Sequence, residues 1–189
     1  MATKKLVGII MGSSSDSRLM HGAAEILDQF KVSHEDQIIS AHRTPSRLDT
    51  YAKHAEKSGF KVIIAGAGGA AHLPGMIASH TVIPVIGVPI LVYNDKQNKK
   101  SEKNKFSAFG GLDSLLSISE MPTGSPVVSV GINKAANAAI YALKILANEN
   151  LTIKRKLQKH KFDQHESVLK ESEELKKLGL TKFVKKRFN

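Results

Sequence analysis

The chain has 189 residues, enough for one domain with a substantial hydrophobic core, and its formal net charge at pH 7 is +11. It contains no cysteine, which excludes a disulfide framework, a thiolate metal site and a cysteine nucleophile. No apolar run approaches the roughly 20 residues of a membrane-spanning helix, and residues 1–5 lack the apolar stretch of a secretory signal, so we expect a cytoplasmic protein without a membrane partner.

The basic excess lies in two segments. Residues 94–105 contain five Lys against Asp95 and Glu102, and residues 151–189 contain 12 Lys or Arg against five acids. Basic patches of this kind are compatible with nucleic-acid binding, but three Tyr, seven Phe and no Trp offer few surfaces on which bases can stack. We interpret both segments as solvated surface without a nucleic-acid partner, and a non-catalytic module that holds RNA remains the alternative.

Short apolar runs alternate with residues at helical spacing along most of the chain. The predicted strands cover residues 5–11, 35–40, 60–65, 82–88 and 126–130. The predicted helices cover residues 17–30, 45–58, 73–80, 112–118, 135–146 and 151–178. A Lys/Asn-rich surface loop is predicted at residues 94–105, and a frayed basic end at residues 182–189.

This alternation predicts a parallel sheet with helices on both faces, because each crossover between parallel strands is right-handed and covered by a helix. Five strands within residues 5–150 suit the flavodoxin-like order 2-1-3-4-5 in a three-layer α/β/α sandwich. We expect a single domain over residues 1–189. Its predicted parts are an α/β core at 5–150 with the insert at 94–105, a long C-terminal helix at 151–178 and a basic tail at 179–189.

Polar side chains follow the second predicted strand, in the six residues from Ser40 to Pro45. Thr44 suits a helix N-cap and Pro45 the first helical position, so a helix is expected to start there. The turn before it presents the Ser40 hydroxyl, the His42 imidazole and the Arg43 guanidinium. These groups can hold an anion and move a proton near neutral pH, whereas a purely structural turn needs none of them.

The first and third predicted strands end in loops of a different kind. Residues 12–16 (Gly-Ser-Ser-Ser-Asp) precede a helix, where hydroxyls and N–H groups can bind an anion, and Asp16 is expected to cap that helix or to accept hydrogen bonds from a ligand. Residues 66–71 (Gly-Ala-Gly-Gly-Ala-Ala) match G-x-G-x-x-A, but no acid follows about 20 residues later, which argues against a dinucleotide site. These glycines instead allow the backbone to approach a small ligand closely.

In the order 2-1-3-4-5 the first strand lies between the second and the third, so the three loops share one edge of the sheet. His42 and His72 are therefore the candidate general acid/base residues, and the other six histidines are interpreted as structural or solvated. Two histidines and Asp16 are too few for a metal site, so we predict no metal. No G-x-S-x-G elbow occurs, which argues against an ordinary serine hydrolase.

Several motifs together resemble class I PurE, the 5-(carboxyamino)imidazole ribonucleotide mutases of purine biosynthesis. They are Ser13 with Ser15-Asp16, the stretch 40–45, residues 65–76 (AGAGGAAHLPGM), residues 113–118 (DSLLSI) and Met121-Pro122. The resemblance covers roughly residues 5–150. It implies that a carboxylate moves from an exocyclic nitrogen to a carbon of an imidazole ribonucleotide, without cofactor or metal.

The resemblance also implies roles for single residues. His42 matches the general acid/base that protonates the departing nitrogen as carbon dioxide is released. Arg43 and the serine loop match contacts to the phosphate, and Asp16 matches a contact to the ribose. The ring and the trapped carbon dioxide are expected beside Gly68–Ala70. The full set of implied substrate contacts is Ser13, Ser15, Asp16, Ser40, Arg43, Gly68, Gly69, Ala70 and His72.

Two further implications concern class and assembly. The related class II enzymes carboxylate the unsubstituted aminoimidazole ribonucleotide with carbon dioxide and carry Ser-Ala-His-Lys-Gly-Pro in the corresponding stretch. Arg43-Thr44 therefore favours the mutase, and the carboxylase is the alternative enzyme. The family forms homo-octamers whose sites borrow residues from neighbouring subunits, so an octamer is implied. The segment between Pro89 and Gly110 is longer here than is usual in the family.

Overall fold

The computed structural model describes residues 4–91 and 109–188. Five parallel strands form one sheet in the order β2-β1-β3-β4-β5, which confirms the predicted strand order. The strands are β1 (Val7–Met11), β2 (His34–Ile38), β3 (Val62–Gly68), β4 (Val85–Ile90) and β5 (Val128–Ser129). The predicted insert at residues 94–105 lies outside the described residues.

Helices cover both faces of the sheet, as the flavodoxin-like prediction requires. The helices of the described residues are α1 (Ser17–Gln29), α2 (Pro45–Ser58), α3 (Leu73–Ser79), α4 (Leu112–Ser119), α5 (Ala135–Leu146), α6 (Leu151–Leu178) and α7 (Leu180–Phe188). One layer contains α1 packed on α5, and the other contains α2, α3 and α4. None of the helices in the described ranges is long and apolar enough to cross a membrane.

The hydrophobic core explains why β1 and β3 are continuous apolar runs. Both strands are central and covered on each face, so nearly every side chain along them is buried. On the second layer, Ile10 and Ile63 pack with Leu48 of α2, Ile77 of α3 and Ile118 of α4. β2 lies at the edge of the sheet and is only partly buried, which accounts for its polar sequence.

The chain divides into two compact units, residues 1–146 and residues 147–189. The first contains the sheet with α1 to α5, and the second contains α6 and α7. The single domain over residues 1–189 stays a prediction.

The frayed end predicted at residues 182–189 is wrong for the described residues, because α7 is helical through Phe188. Two ion pairs join α7 to α6 and stabilise it: Lys186 Nζ lies 2.6 Å from Glu174 Oε1, and Arg187 Nη2 lies 2.5 Å from Glu171 Oε1. The Arg187 guanidinium also lies 5.3 Å from the centre of the Phe183 ring. The basic end is therefore held by acids that lie 12 to 16 residues earlier in the chain.

Gly8 in β1 and Tyr51 in α2 meet so closely that a Cβ at position 8 would overlap the Tyr51 hydroxyl. That hydroxyl is buried without a hydrogen-bond partner among the described residues. Burial, together with the charges of Glu35 and Asp36, raises the pKa of Tyr51 above its ordinary value. Gly8→Ala is expected to lower the free energy of unfolding by about 1–3 kcal/mol in urea denaturation, the usual cost of overpacking.

Tyr51→Phe removes the overlapping atom and an unpaired buried hydroxyl, so its free energy of unfolding should equal or exceed that of the wild type. The double variant should regain much of the loss caused by Gly8→Ala. Gly22→Ala is the control, because a Cβ there lies at an ordinary 3.8 Å from Ala136 N. Strictly additive effects of the two changes would contradict this explanation.

Candidate active site

The loops that follow β1, β2 and β3 surround one cavity of about 410 Å³ at the carboxyl edge of the sheet. Nine of the ten predicted site residues line it: Ser13, Ser15, Asp16, Ser40, His42, Arg43, Gly68, Ala70 and His72. Gly69 is the exception among them. It lies in the turn between the lining residues Gly68 and Ala70. Its φ is +63°, a backbone conformation that favours glycine.

The serine loop is pre-shaped by its own hydrogen bonds. Ser13 N donates to Asp16 Oδ2 at 3.0 Å, while Ser13 Oγ accepts from Ser15 N at 3.3 Å and from Ser15 Oγ at 3.0 Å. This reciprocal capping box holds a short 3₁₀ turn at Ser14–Asp16 before α1 begins. Ser13 therefore caps this turn and Asp16 completes the box. Asp16 also occupies the N-cap position of α1, but its side chain makes no capping bond to that helix.

Asp16 is a buried acid at the cavity wall, with 5% of its surface exposed. Burial raises the pKa of its carboxyl above the ordinary value, although hydrogen bonds from Ser15 and Ser13 and the charge of Arg43 act in the opposite direction. Burial thus leaves its carboxylate short of the stabilisation that water would supply. Hydroxyl donors from a ligand would offset this loss, so the group is suited to accept them.

The raised pKa has a consequence for stability. The folded chain binds the Asp16 proton more tightly than the unfolded chain does, so this residue's contribution to stability falls as pH rises from the ordinary carboxyl range through the raised pKa. Asn cannot ionise, and its amide can keep the hydrogen bond from Ser13. Thermal unfolding at a series of pH values should therefore show that the Tm of Asp16→Asn rises relative to the Tm of the wild type as pH rises through that window.

Asp49 provides a control of opposite sign. A hydrogen bond and ion pair with Lys53 lower the pKa of its exposed carboxyl. Asp49→Asn should lose a little stability relative to the wild type as pH rises through the acid range, since exposed pairs contribute little. If Asp16→Asn followed the same direction as Asp49→Asn, burial would not be the dominant influence on Asp16.

The stretch from Ser40 to Pro45 is closed by Thr44 in a way that the sequence did not predict. Thr44 occupies the N-cap position and Pro45 the first turn of α2, as expected, but the Thr44 side chain makes no capping bond. Its hydroxyl instead donates to Ser40 O at 2.9 Å and accepts from Ser40 N at 3.1 Å. This pair of bonds fixes the turn that carries His42 and Arg43.

Arg43 bridges the ends of two strands. Its Nε donates to Ser40 Oγ at 3.0 Å, and its Nη2 donates to the Gly12 carbonyl at 3.0 Å. Both bonds orient the guanidinium at the cavity, where its remaining N–H groups can face an anion. The part played by the Gly12 carbonyl was missed, because a backbone acceptor leaves no side-chain pattern in a sequence.

The two candidate acid/base residues are in direct contact. His42 Nε2 lies 2.7 Å from His72 Nδ1, and the rings meet edge to face with centres 4.9 Å apart. A hydrogen bond between two ring nitrogens requires one proton between them. The site therefore contains a pair of imidazoles at hydrogen-bonding distance, where the sequence predicted only that both would lie on one edge.

The remaining wall of the cavity is made of small and apolar groups. Residues 68–71 form a turn in which Ala71 N donates to Gly68 O at 3.3 Å. The lining residues outside the ten predicted ones are Gly12, Ala41, Ala67, Ala71 and Leu73, and all five lie in stretches singled out from the sequence. In residues 4–91 and 109–188, no three His, Asp or Glu side chains are grouped as a metal site would need.

The fold is that of a flavodoxin-like α/β protein, and its cavity lies at the carboxyl edge of the sheet. The chain belongs to the AIR carboxylase family, whose sequence profile matches residues 6–167. The predicted resemblance to PurE is thereby confirmed.

Similarity to individual proteins extends over nearly the whole chain. The N5-carboxyaminoimidazole ribonucleotide mutase of Pyrococcus horikoshii is 51% identical over 181 residues, which are 96% of this chain and 94% of the relative. The chloroplastic phosphoribosylaminoimidazole carboxylase of Vigna aconitifolia is 46% identical over 95% of this chain, but the match covers 30% of that longer protein. The crystal structure of Treponema denticola PurE is 25% identical, with a TM-score of 0.76 over 91% of this chain and 99% of that one.

Proposed function

We propose that the protein is an N5-carboxyaminoimidazole ribonucleotide mutase, an isomerase of purine (IMP) biosynthesis. It converts 5-(carboxyamino)imidazole ribonucleotide into 4-carboxy-5-aminoimidazole ribonucleotide. The observation that carries this proposal is the 51% identity to the archaeal mutase along 94% of that protein's length. The match to the plant carboxylase covers less than a third of that protein and gives the carboxylase alternative no comparable support.

The cavity suggests how the ribonucleotide lies. Arg43 and the hydroxyls of Ser13 and Ser15 hold the phosphate, since they are cationic and donor groups of the cavity lining. Asp16 accepts hydrogen bonds from the ribose hydroxyls. The imidazole ring then faces Gly68, Ala70 and the histidine pair, where a backbone-lined wall permits close approach.

The carboxylate moves in two steps, in which its bond to nitrogen breaks before its bond to carbon forms. His42 donates a proton to the exocyclic nitrogen as its bond to the carboxyl carbon breaks and carbon dioxide forms. The carbon dioxide stays against residues 68–71, the ring carbon attacks it, and a base removes the proton from that carbon. One proton is given and one is taken back, so the histidine pair ends as it began. A wall of small apolar groups keeps water from the trapped carbon dioxide.

The test is to incubate the protein with each imidazole ribonucleotide and to follow formation of the 4-carboxy product, with protein-free samples as background. We expect product from the carboxyamino compound without added carbon dioxide. Product from the unsubstituted ribonucleotide plus carbon dioxide, with none from the carboxyamino compound, would overturn the mutase in favour of the carboxylase. Absence of product from both would contradict both enzymes.

We further propose a cytoplasmic homo-octamer that uses neither cofactor nor metal. Large apolar side chains on the first unit support assembly: Val82 is 92% exposed and Phe109 71% exposed in the single chain, and Leu112 and Leu116 are about half exposed. Light scattering should give the mass of eight chains, and a monomer would contradict this proposal.

We propose no nucleic-acid partner. Part of the basic charge of the second unit is already paired, as in Lys159 with Asp163, Lys186 with Glu174 and Arg187 with Glu171. RNA should therefore be lost from the protein at physiological salt, where weak phosphate contacts are screened. Retention there would favour the RNA-binding alternative.

A further inference from the structure

Helix α4 donates a side-chain hydrogen bond to the wall of the active-site cavity. Ser117 Oγ donates to the Ala70 carbonyl at 2.7 Å, across 47 positions of the sequence. Ala70 lines the cavity and Ser117 does not. We propose that Ser117 is a positioning residue, which holds the 68–71 turn in the shape that retains carbon dioxide during the reaction. This inference rests on the proposed mutase function.

The turn needs an external support because its backbone is strained. Gly69 has φ of +63°, and Ala71 has φ of +23°, which a residue with a Cβ rarely adopts. The turn's own closing bond, from Ala71 N to Gly68 O, is long at 3.3 Å. Strained backbone of this kind persists only where its surroundings determine it. The Ala70 carbonyl lies between the two unusual residues, so a bond to it acts on both.

Helix α4 is a firm support for this bond. Ser114, one turn before Ser117, is fully buried, and its hydroxyl donates to Ile90 O at the end of β4 at 3.0 Å. Ile118, the next residue, is fully buried in the core beside Ile63 and Ile77. The position of the Ser117 hydroxyl is thus set by β4 and the core, and the bond to Ala70 transmits that position to the turn.

A second cavity lies beside the hydrogen bond from Ser117 to Ala70. It has a volume of about 320 Å³, and Ser117, Met76, Met121 and Pro122 contribute to its mostly apolar lining. His72 lines both cavities and directly follows the turn that Ser117 holds. If the turn were released, carbon dioxide would gain a route from the first cavity into this apolar space before the ring carbon attacked it.

Ser117→Ala should affect kcat more than KM. Ser117→Ala does not touch Ser13, Asp16 or Arg43, so KM should stay within about twofold while kcat falls about tenfold, the effect of one lost hydrogen bond. Carbon dioxide that escapes leaves the unsubstituted aminoimidazole ribonucleotide behind, because the exocyclic nitrogen has already been protonated. The ratio of this by-product to the 4-carboxy product should therefore rise.

The experiment compares Ser117→Ala with Ser119→Ala in the full chain. Ser119 lies on the same helix, and its hydroxyl donates to carbonyls of its own helix, Leu115 O among them. Ser117→Thr keeps a hydroxyl and should recover most of the wild-type product ratio. Both products are measured from the carboxyamino ribonucleotide, and hydrogen–deuterium exchange is measured on the peptide covering residues 66–76.

A by-product ratio and exchange rate that rise in Ser117→Ala, but not in Ser119→Ala, support the proposal. Equal behaviour of the two variants in either measurement, or a loss expressed mainly in KM, would overturn it. If the wild type formed no 4-carboxy product, the proposed function would have failed, and the carbon dioxide role would fall with it. The exchange measurement would still decide whether Ser117 holds the turn.

Discussion

Replacing His42 by Asn should lower kcat by about 10²–10⁴-fold, the range for loss of a general acid/base, while the ribonucleotide still binds. Asn is neutral and polar, but it cannot give up and regain a proton near neutral pH. Arg43 and Ser13, which we propose hold the phosphate, do not depend on the His42 ring, since their hydrogen bonds go to other residues. Substrate affinity should therefore change far less than turnover.

The measurements are steady-state kcat and calorimetric affinity for the 4-carboxy ribonucleotide. His21→Asn is the matched control, because His21 is a surface residue of α1 whose ring nitrogen lies 3.6 Å from Glu25. A near-normal turnover in His42→Asn would remove His42 from the proposed mechanism. Loss of affinity in step with loss of turnover would make it a binding residue instead.

The architecture was predictable because the strongest sequence signals coincide with buried elements. β1 and β3 are central strands covered on both faces, and such strands must be apolar at nearly every position. The Ala-rich pattern predicted α5 at Ala135–Leu146, and the structure has those bounds. Once alternation implied a parallel sheet, the strand order placed two polar loops and one Gly/Ala loop on one edge, which is where the cavity lies.

The errors and omissions have physical causes that do not show in a local sequence pattern. The Thr44 hydroxyl could bond either to the first turn of α2 or to the Ser40 backbone, and in the structure it bonds to Ser40. Helix α7 forms ion pairs with acids of α6 that lie 12 to 16 residues earlier in the chain. The contact between His42 and His72 depends on side-chain orientation, which strand order alone does not determine.

Arg43→Ala is the other change with a large expected effect. The guanidinium joins the Ser40 hydroxyl to the Gly12 carbonyl and carries a positive charge at the cavity. If it holds the phosphate, its loss removes charge-assisted hydrogen bonds of about 1.5–3 kcal/mol, so kcat/KM should fall about 10–100-fold. Most of the fall should appear in KM, because phosphate binding is the same before and after the carboxylate moves.

Arg47→Ala is the matched control, since Arg47 lies four residues later, within α2, and its Nη2 donates to Gln37 Oε1 at 2.8 Å. It should leave both kinetic parameters near those of the wild type. Arg43→Lys keeps the charge but cannot form the fork to Ser40 and Gly12, so it should recover part of the affinity. If Arg43→Ala lowered kcat with KM unchanged, the guanidinium would act on the reacting ring rather than on the phosphate, and the placement of the ribonucleotide in the cavity would have to be reversed.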